Sequence, residues 1–285
     1  PAAATPEWYA ENGITKLERQ TPHSVVIPGV IDAWETLIRD HGTMDLGELL
    51  QPAIGYARDG YPVSSRVSVD FASQEHLLVN DPAAKRVFMP NGKTPGVGEM
   101  HHQPELAETL RKVAEHGRDA FYTGEVAEDI VSYLQSLGGL HTLEDFKNAI
   151  GEYVTPISTN YRGYDVYECP PNGQGVIALQ MLNMLKHVPF EGIDPLSVER
   201  LHMEIEFGRM TYQDRNAYVA DENKADVPVE WLLSDEHAKE LVAQFDPERA
   251  LDPLPPVTIP SNDSTVYISV VDKDRNACSF INTLF

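Results

Sequence analysis

The most constraining feature of this chain is a β-hairpin pattern at residues 265–285. It consists of a strand at 265–272, a short polar turn at 273–275 and a second strand at 276–285. If Asp272 and Asn276 close a three-residue loop, Thr265 lies directly opposite Thr283, with the two Cβ atoms about 5 Å apart. A two-residue loop would instead shift the pairing by one residue and place Thr283 on the other face.

Two facing threonine hydroxyls at the start of a strand suggest nucleophilic catalysis. A threonine hydroxyl is a weak nucleophile that needs an adjacent base. If the peptide bond between Ser264 and Thr265 is cut, Thr265 gains an α-amine with a pKa of about 7.7–8.0, which suits that task. Thr265 can make the cut by attacking the carbonyl of Ser264, and Thr283 would then orient its hydroxyl. The alternative is a threonine pair that only stabilises the sheet.

Long motifs elsewhere in the chain resemble the γ-glutamyltransferase (γ-glutamyltranspeptidase) family of N-terminal nucleophile hydrolases. They occur in that family's order at 28–46, 50–63, 117–124 (Gly-Arg-Asp-Ala-Phe-Tyr-Thr-Gly), 161–171, 212–218 (Tyr-Gln-Asp-Arg-Asn-Ala-Tyr) and 269–276. The resemblance implies that Thr265 is the catalytic nucleophile and Thr283 its hydrogen-bonding partner. It also implies an α+β fold, the αββα sandwich. Residues 1–264 would form most of a mainly helical large subunit, and 265–285 the first hairpin of the small subunit.

Departures from the family pattern bear on the substrate. Phe285 stands where glutathione-cleaving members carry an asparagine that helps to hold the substrate's α-amino group, and phenylalanine cannot make that hydrogen bond. Val266 and Tyr267 resemble the acylase-like branch of the family. Arg275 stands in the turn where glycine is usual, and Asn276 is expected to supply the positive φ that closes it.

The resemblance implies an amide hydrolase or acyltransferase that acts through an acyl-threonine intermediate on a small γ-glutamyl or related acyl-amide substrate. A cephalosporin- or glutaryl-type acylase and a catalytically silent fragment with a structural role are the alternatives. Autocleavage at Ser264–Thr265 would make the protein a zymogen. No cofactor and no metal ion are expected.

The resemblance also implies further segments of the same protein. We expect an upstream segment with a sheet strand and a carboxylate-binding arginine, and a downstream segment with a Gly-Gly oxyanion hole. Without them the isolated chain should be inactive. The assembly would be a homodimer or a heterodimer of the processed subunits. Any signal peptide would lie upstream, so a cytoplasmic and a periplasmic or secreted location both stay open.

Composition excludes some functions. A net charge of −22 argues against binding to nucleic acid or to an anionic membrane surface, and no run of 18 apolar residues is present. Cys169 and Cys278 lie far apart with no CxxC motif, so two buried thiols are expected. The histidines at 101 and 102 lack a third ligand nearby and are expected to form an exposed pair.

Periodicity predicts a mostly helical chain before residue 150. Helices are predicted at 30–40, 45–59 with a break near Pro52, 104–116, 123–137, 142–148, 175–187, 195–217 and 234–244, and strands at 155–160 and 164–168. Asp45 and Glu48 resemble a capping box. The 172–175 loop predicts a turn with a helix cap or, alternatively, an anion cradle. The proline-rich stretch 251–263 predicts a flexible approach to the cleavage site, or an ordinary linker.

Overall fold

The computed structural model describes residues 1–189, 192–251 and 266–283. The chain divides into two compact units, Pro1–Gly151 and Glu152–Phe285. These units are defined by contacts within the folded chain. They do not correspond to the predicted large and small subunits, whose boundary between 264 and 265 lies outside the described residues.

The first unit is built almost entirely from helices. They are α1 (Pro6–Glu11), α2 (Val30–His41), α3 (Leu46–Leu49), α4 (Gln51–Asp59), α5 (Ser65–Leu78), α6 (Pro82–Phe88), α7 (Pro104–His116), α8 (Asp119–Tyr122), α9 (Glu125–Ser136) and α10 (Leu143–Lys147), with a 3₁₀ turn at Pro22–Ser24. Two short strands, β1 (Tyr61–Pro62) and β2 (Met100–His101), pair antiparallel.

The core of this unit lies where amphipathic helices bring their apolar stripes together. Ile54 and Ala57 on α4 are one turn apart and share a face, which packs on α7 through Ala107 and Val113. Ile31 on α2 belongs to the same cluster. Burial of the larger side chains, such as Ile54 and Val113, stabilises the fold by about 1.5–3 kcal/mol each.

The second unit combines helices with two hairpins. Its elements are β3 (Ile157–Tyr161), β4 (Tyr164–Glu168), α11 (Gly175–Leu185), α12 (Val198–Tyr218), α13 (Val229–Leu232), α14 (Asp235–Val242), β5 (Val266–Val271) and β6 (Ala277–Asn282). The apolar helix α11 packs against β3, α12 and α14. Met184, Phe207 and Leu241 from these three helices form the larger of two buried clusters.

The amphipathic helices predicted from the sequence are present, and the predicted break near Pro52 separates α3 from α4. The side chain of Asp45 makes no capping hydrogen bond, so the predicted capping box is wrong. Helix α5 was missed: none of its 14 residues is fully buried, although Val67, Phe71 and Leu78 are half-buried along one face.

The strands of the described residues form three separate two-stranded antiparallel sheets: β1–β2, β3–β4 and β5–β6. The described part of the chain is thus mostly helical with small hairpins. The two stacked sheets of an αββα sandwich are not seen within it.

Two expectations about polar side chains were wrong. Cys169 and Cys278 are both exposed, the first just after β4 and the second on β6. His101 is buried, only 1% exposed, and its ring stacks on Phe88 with centroids 5.7 Å apart. Its neighbour His102 is exposed, as expected.

Candidate active site

The hairpin β5–β6 has the register that the sequence predicted. Six pairs form its ladder, from Val266 opposite Asn282 at the open end to Val271 opposite Ala277 near the turn. Continued outward by one residue, this register places position 265 opposite Thr283. Thr283 is described and exposed, whereas Thr265 lies outside the described residues. The pairing of Thr265 with Thr283 therefore stays a prediction.

A three-residue loop closes the hairpin, as predicted. The backbone N–H of Asp272 donates to the carbonyl of Asn276 at 3.0 Å, and the N–H of Arg275 donates to the carbonyl of Asp272 at 3.1 Å. The positive φ of the turn falls on Arg275, at 66°, and not on Asn276 as expected. A left-handed third residue is the usual geometry of such loops, because it lets the chain rejoin the ladder as a bulge.

The side chain of Asp272 fastens this turn. One carboxylate oxygen accepts the backbone N–H groups of Asp274 and Asn276 at 2.9 and 2.8 Å, and the other accepts the Nδ2–H of Asn276 at 2.8 Å. The hydrogen bond from the Asn276 side chain, followed by those from the backbone, holds the pKa of Asp272 below its ordinary value. The Asp272 carboxylate thus accepts hydrogen bonds from both the backbone and the side chain of Asn276.

The two faces of the hairpin differ in chemistry. Tyr267, Ser269 and Ser279 share one face of the ladder, and alternation continued by one residue past Asn282 places Thr283 on that face. The Tyr267 hydroxyl lies 2.8 Å from Ser279 Oγ, and hydrogen bonds from Ser269 and Ser279 lower the pKa of Tyr267. The opposite face is mainly apolar and carries Val266, Ile268, Val270, Cys278, Phe280 and Asn282. The register therefore gathers hydroxyl groups on the face of Thr283.

Both faces of the hairpin are open within the described residues. Ile268 on the apolar face is 46% exposed, and Ile281 on the hydroxyl face is 60% exposed. A two-stranded sheet with no packed face is only marginally stable in water.

The Glu168 carboxylate lies close to Gly175, at the start of α11. A Cβ atom placed on Gly175 would lie 2.6 Å from Glu168 Cβ, 2.8 Å from Glu168 Oε2 and 3.0 Å from the carbonyl oxygen of Cys169. Glu168 thus lies at the first turn of the helix, where the backbone dipole favours negative charge. This supports the predicted turn over an anion cradle. Gln174, the residue that caps the helix, contributes no side-chain bond.

Arg118 belongs to the 117–124 motif and links distant parts of the first unit. Its Nε–H donates to the buried carboxylate of Asp32, and its Nη2 donates to the carbonyls of Lys147 and Ala149 at 3.0 and 2.8 Å. The second Asp32 oxygen accepts the N–H of Gly151 at 2.6 Å. The motif therefore fixes the scaffold of this unit.

Tyr122, in the same motif, completes that network. Its ring lies under the guanidinium of Arg118 at 4.6 Å, and its hydroxyl donates to the carbonyl of Pro28 at 2.6 Å. The side chain is fully buried, and burial raises the pKa of Tyr122. A hydroxyl held in this way is a structural group.

A similar network ties the second unit together. His237 Nε2 lies 2.7 Å from Asp214 Oδ2, and Gln180 Nε2–H donates to the same oxygen. The ring of Trp231 lies 3.8 Å from that of His237. Asp214 belongs to the 212–218 motif, so this motif too has a structural explanation. Sequence reasoning missed His237, because no periodic signal links it to Asp214.

Glu206 anchors Leu251, which precedes the stretch that contains the predicted cleavage site. Its carboxylate is 2% exposed, pairs with Arg209 at 2.6 Å and accepts the backbone N–H of Leu251 at 3.0 Å. The Leu251 side chain packs against the larger apolar cluster of this unit. Leu251 is the last described residue before 252–265, the stretch that contains Ser264 and Thr265. Phe285 likewise lies outside the described residues.

Two further kinds of site were sought in the described ranges. No group of three or more histidine, cysteine, aspartate or glutamate side chains there could hold a metal ion. Among the described helices none is both long and apolar enough to cross a membrane.

Comparison with known proteins identifies relatives that are similar in sequence. The chain is 38% identical over 262 residues to the glutathione hydrolase-like YwrD proenzyme of Bacillus subtilis strain 168, which covers 92% of this chain and 49% of that protein. It is 33% identical over 294 residues to the glutathione hydrolase proenzyme of Escherichia coli strain K12, which covers 100% of this chain and 50% of that protein. The chain thus spans about half the length of the curated relatives it matches.

A solved structure agrees with this result. The crystal structure of cephalosporin acylase from Bacillus halodurans superposes with a TM-score of 0.88 at 35% identity, over 98% of this chain and 52% of that one. The sequence profile of the gamma-glutamyltranspeptidase family matches residues 1–285. The hairpin register and the ordered motifs agree with this match along the whole sequence. The chain therefore belongs to the gamma-glutamyltranspeptidase family.

Proposed function

We propose that the full-length protein is a self-cleaving threonine hydrolase or acyltransferase of the αββα type. The observation that carries this proposal is the β5–β6 register, which leads from Val266–Asn282 to Thr283 and position 265. Residues 1–264 would belong to the large subunit and 265–285 to the small one. The substrate would be a small γ-glutamyl or related acyl amide.

Self-cleavage would begin with attack of the Thr265 hydroxyl on the carbonyl of Ser264. The peptide C–N bond breaks as the C–O bond of an ester forms, and the nitrogen becomes the free α-amine of Thr265. Water then hydrolyses the ester, which leaves a carboxylate on Ser264 and restores the hydroxyl of Thr265.

Turnover would reuse the same hydroxyl. Thr265 Oγ attacks the substrate carbonyl and gives its proton to the α-amine, and the substrate's amine leaves with that proton. The resulting acyl-threonine ester passes its acyl group to water or to an acceptor amine. Thr283, on the same face, would hold the hydroxyl in place by a hydrogen bond. Donors that stabilise the oxyanion would come from segments beyond this chain.

An acylase that prefers glutaryl-type acyl groups is the second candidate. Phe285 favours it, because its ring cannot accept the hydrogen bond that the α-amino group of a γ-glutamyl substrate would donate to an asparagine. The similarity to cephalosporin acylase from Bacillus halodurans favours it too.

The decisive experiment is expression of the full-length protein, with mass spectrometry and N-terminal sequencing of the products. We expect two chains, the smaller of which begins at Thr265. Thr265→Ala should leave a single uncut chain. A small product that begins at another residue, or cleavage that persists in Thr265→Ala, would contradict the assignment. A stably folded but uncut wild-type protein would favour the catalytically silent alternative.

A further inference from the structure

We propose that Asp272 and Asn276 are positioning residues for the reaction at Thr265, because together they fix the strand register that brings Thr283 opposite it. This inference rests on the proposed function. The two residues act from the far end of the hairpin and touch neither the substrate nor the reacting atoms. Their effect reaches Thr265 through the paired residues of β5 and β6.

The first step of the argument is the density of bonds at the turn. The Asp272 carboxylate receives three hydrogen bonds, two of them from Asn276, and the two backbones exchange a further one. All these groups are solvent-exposed. A loop of this kind has one compatible register, because Asp272 and Asn276 must face each other for the bonds to form.

The second step is that the described ladder does little to fix its own register. Ile268, Val270 and Ile281 are all about half exposed, so no packed face selects one pairing over another. A slip of one residue would exchange Ile268 for Ser269 on one face of β5, but both residues are exposed, so the exchange changes little apolar burial. The slip would also break the contact between Tyr267 and Ser279 and would move Thr283 to the face opposite position 265. The turn and the Tyr267–Ser279 contact are therefore the features among the described residues that distinguish the two registers.

The third step is that the turn contains a strained backbone conformation at Arg275. Arg275 has a φ of 66°, a conformation that side-chain-bearing residues adopt at an energetic cost and glycine adopts freely. The bonds of the Asp272 carboxylate offset that cost. A glycine at position 275 should therefore replace part of what the carboxylate does, which gives the proposal a rescue test.

The variants are made in the full-length protein and compared by the rate of self-cleavage. Asp272→Ala removes the three side-chain bonds and should slow cleavage about tenfold, the effect of losing about 1.4 kcal/mol. Asp274→Ala is the matched control. It removes a carboxylate of the same turn that pairs with Lys273, but it keeps the backbone N–H that Asp272 binds. This variant should cleave at the wild-type rate. Arg275→Gly added to Asp272→Ala should restore most of the rate.

A cross-link reports the register directly. Cys278 lies opposite Val270, so Val270→Cys should form a disulfide with it under mild oxidation when the native register is kept. Cys169→Ser removes the other thiol, and loss of free thiols is counted by alkylation and mass spectrometry. We expect the yield of this disulfide to fall in Asp272→Ala, to stay unchanged in Asp274→Ala and to recover with Arg275→Gly.

The outcomes separate this inference from the proposed function. A wild-type protein that is not cut at Thr265 would refute the proposed function. Normal cleavage in the wild type together with an undiminished rate and cross-link in Asp272→Ala would refute only the positioning role. Slower cleavage with an intact cross-link would also refute it, since the effect would then be general destabilisation. If Asp272→Ala does not fold, Asn276→Ala, which removes only one of the three bonds, decides by the same two measurements.

Discussion

Asn282 lies directly opposite Val266 in the β5–β6 ladder and is the last residue of β6, and Thr283 follows it. Continued by one residue, the alternation of side chains places Thr283 on the face of Tyr267 and Ser279, away from that of Asn282. We therefore expect the hydroxyl of Thr283 on that side of the sheet, and its removal can be tested without changing the ladder.

We expect Thr283→Val to slow turnover of the processed full-length enzyme by about 10–1000-fold, the scale of losing one positioned hydrogen bond in a transition state. Valine keeps the shape of threonine and removes its hydroxyl. Ser279→Ala is the control, because it deletes a hydroxyl on the same strand and face that binds Tyr267 instead. Equal kcat/KM values for Thr283→Val and the wild type would rule out a role for this residue.

Substrate choice should depend on Phe285. We expect the wild-type enzyme to prefer glutaryl-p-nitroanilide to γ-glutamyl-p-nitroanilide, and Phe285→Asn to shift the ratio back by about 10–150-fold, the value of one hydrogen bond to a charged group. The measurement is kcat/KM for both substrates on both proteins. A wild-type enzyme that strongly prefers the γ-glutamyl compound would show that another residue binds the amine.

Loss of the Arg118–Asp32 pair should unfold the first unit more easily. Arg118→Ala leaves the buried Asp32 carboxylate without its cation and should lower the free energy of unfolding by about 3–5 kcal/mol. Arg58→Ala breaks an ion pair with Asp59 in which both side chains are exposed, and it should leave stability nearly unchanged. Urea denaturation of both variants measures the difference. Equal effects would mean that the Arg118 network is not structural.

The buried His101 should make stability depend on pH. Burial, with a smaller effect of His102, lowers the pKa of His101 below its ordinary value of about 6.5. As the pH falls through about 6.5, the unfolded chain binds a proton that the folded chain does not. Stability should therefore be fully present above about pH 6.5 and should decline from there toward the lower pKa of the folded state.

His101→Phe tests this dependence, because it keeps an aromatic ring in the stack with Phe88 and removes the titrating group. The free energy of unfolding is measured between about pH 8 and pH 5. We expect the decline at low pH to be smaller in His101→Phe and unchanged in the control His76→Gln, which alters an exposed histidine. An identical pH profile for His101→Phe and the wild type would assign the decline to other groups.

The sequence predicted those parts of the fold that depend on short-range patterns. Helices such as α2 and α7 have apolar stripes, and the hairpin register follows from alternation and a turn of fixed length. Helix α5 was missed, because Val69 and Leu77 lie away from the stripe of Val67, Phe71 and Leu78 and weaken the periodic pattern. The positive φ at Arg275 was assigned to Asn276, because residue preference outweighed the position that a three-residue loop requires.

The candidate site could be predicted only in part, for a different reason. Thr265 and Thr283 followed from the register and the family resemblance. The contacts of Asp214 with His237 and of Glu206 with Leu251 join residues that are distant in sequence, and no local pattern encodes them. The expected burial of Cys278 was wrong, because a general preference of free thiols says nothing about a hairpin whose faces are both open.

The stacking of Trp231 on His237 gives the protein a natural optical probe. The chain has three tryptophans, of which Trp8 and Trp34 lie in the first unit and Trp231 alone in the second. A protein in which Trp8 and Trp34 are replaced by phenylalanine would therefore emit only from the second unit. Its fluorescence would reveal whether that unit melts together with the first or separately from it.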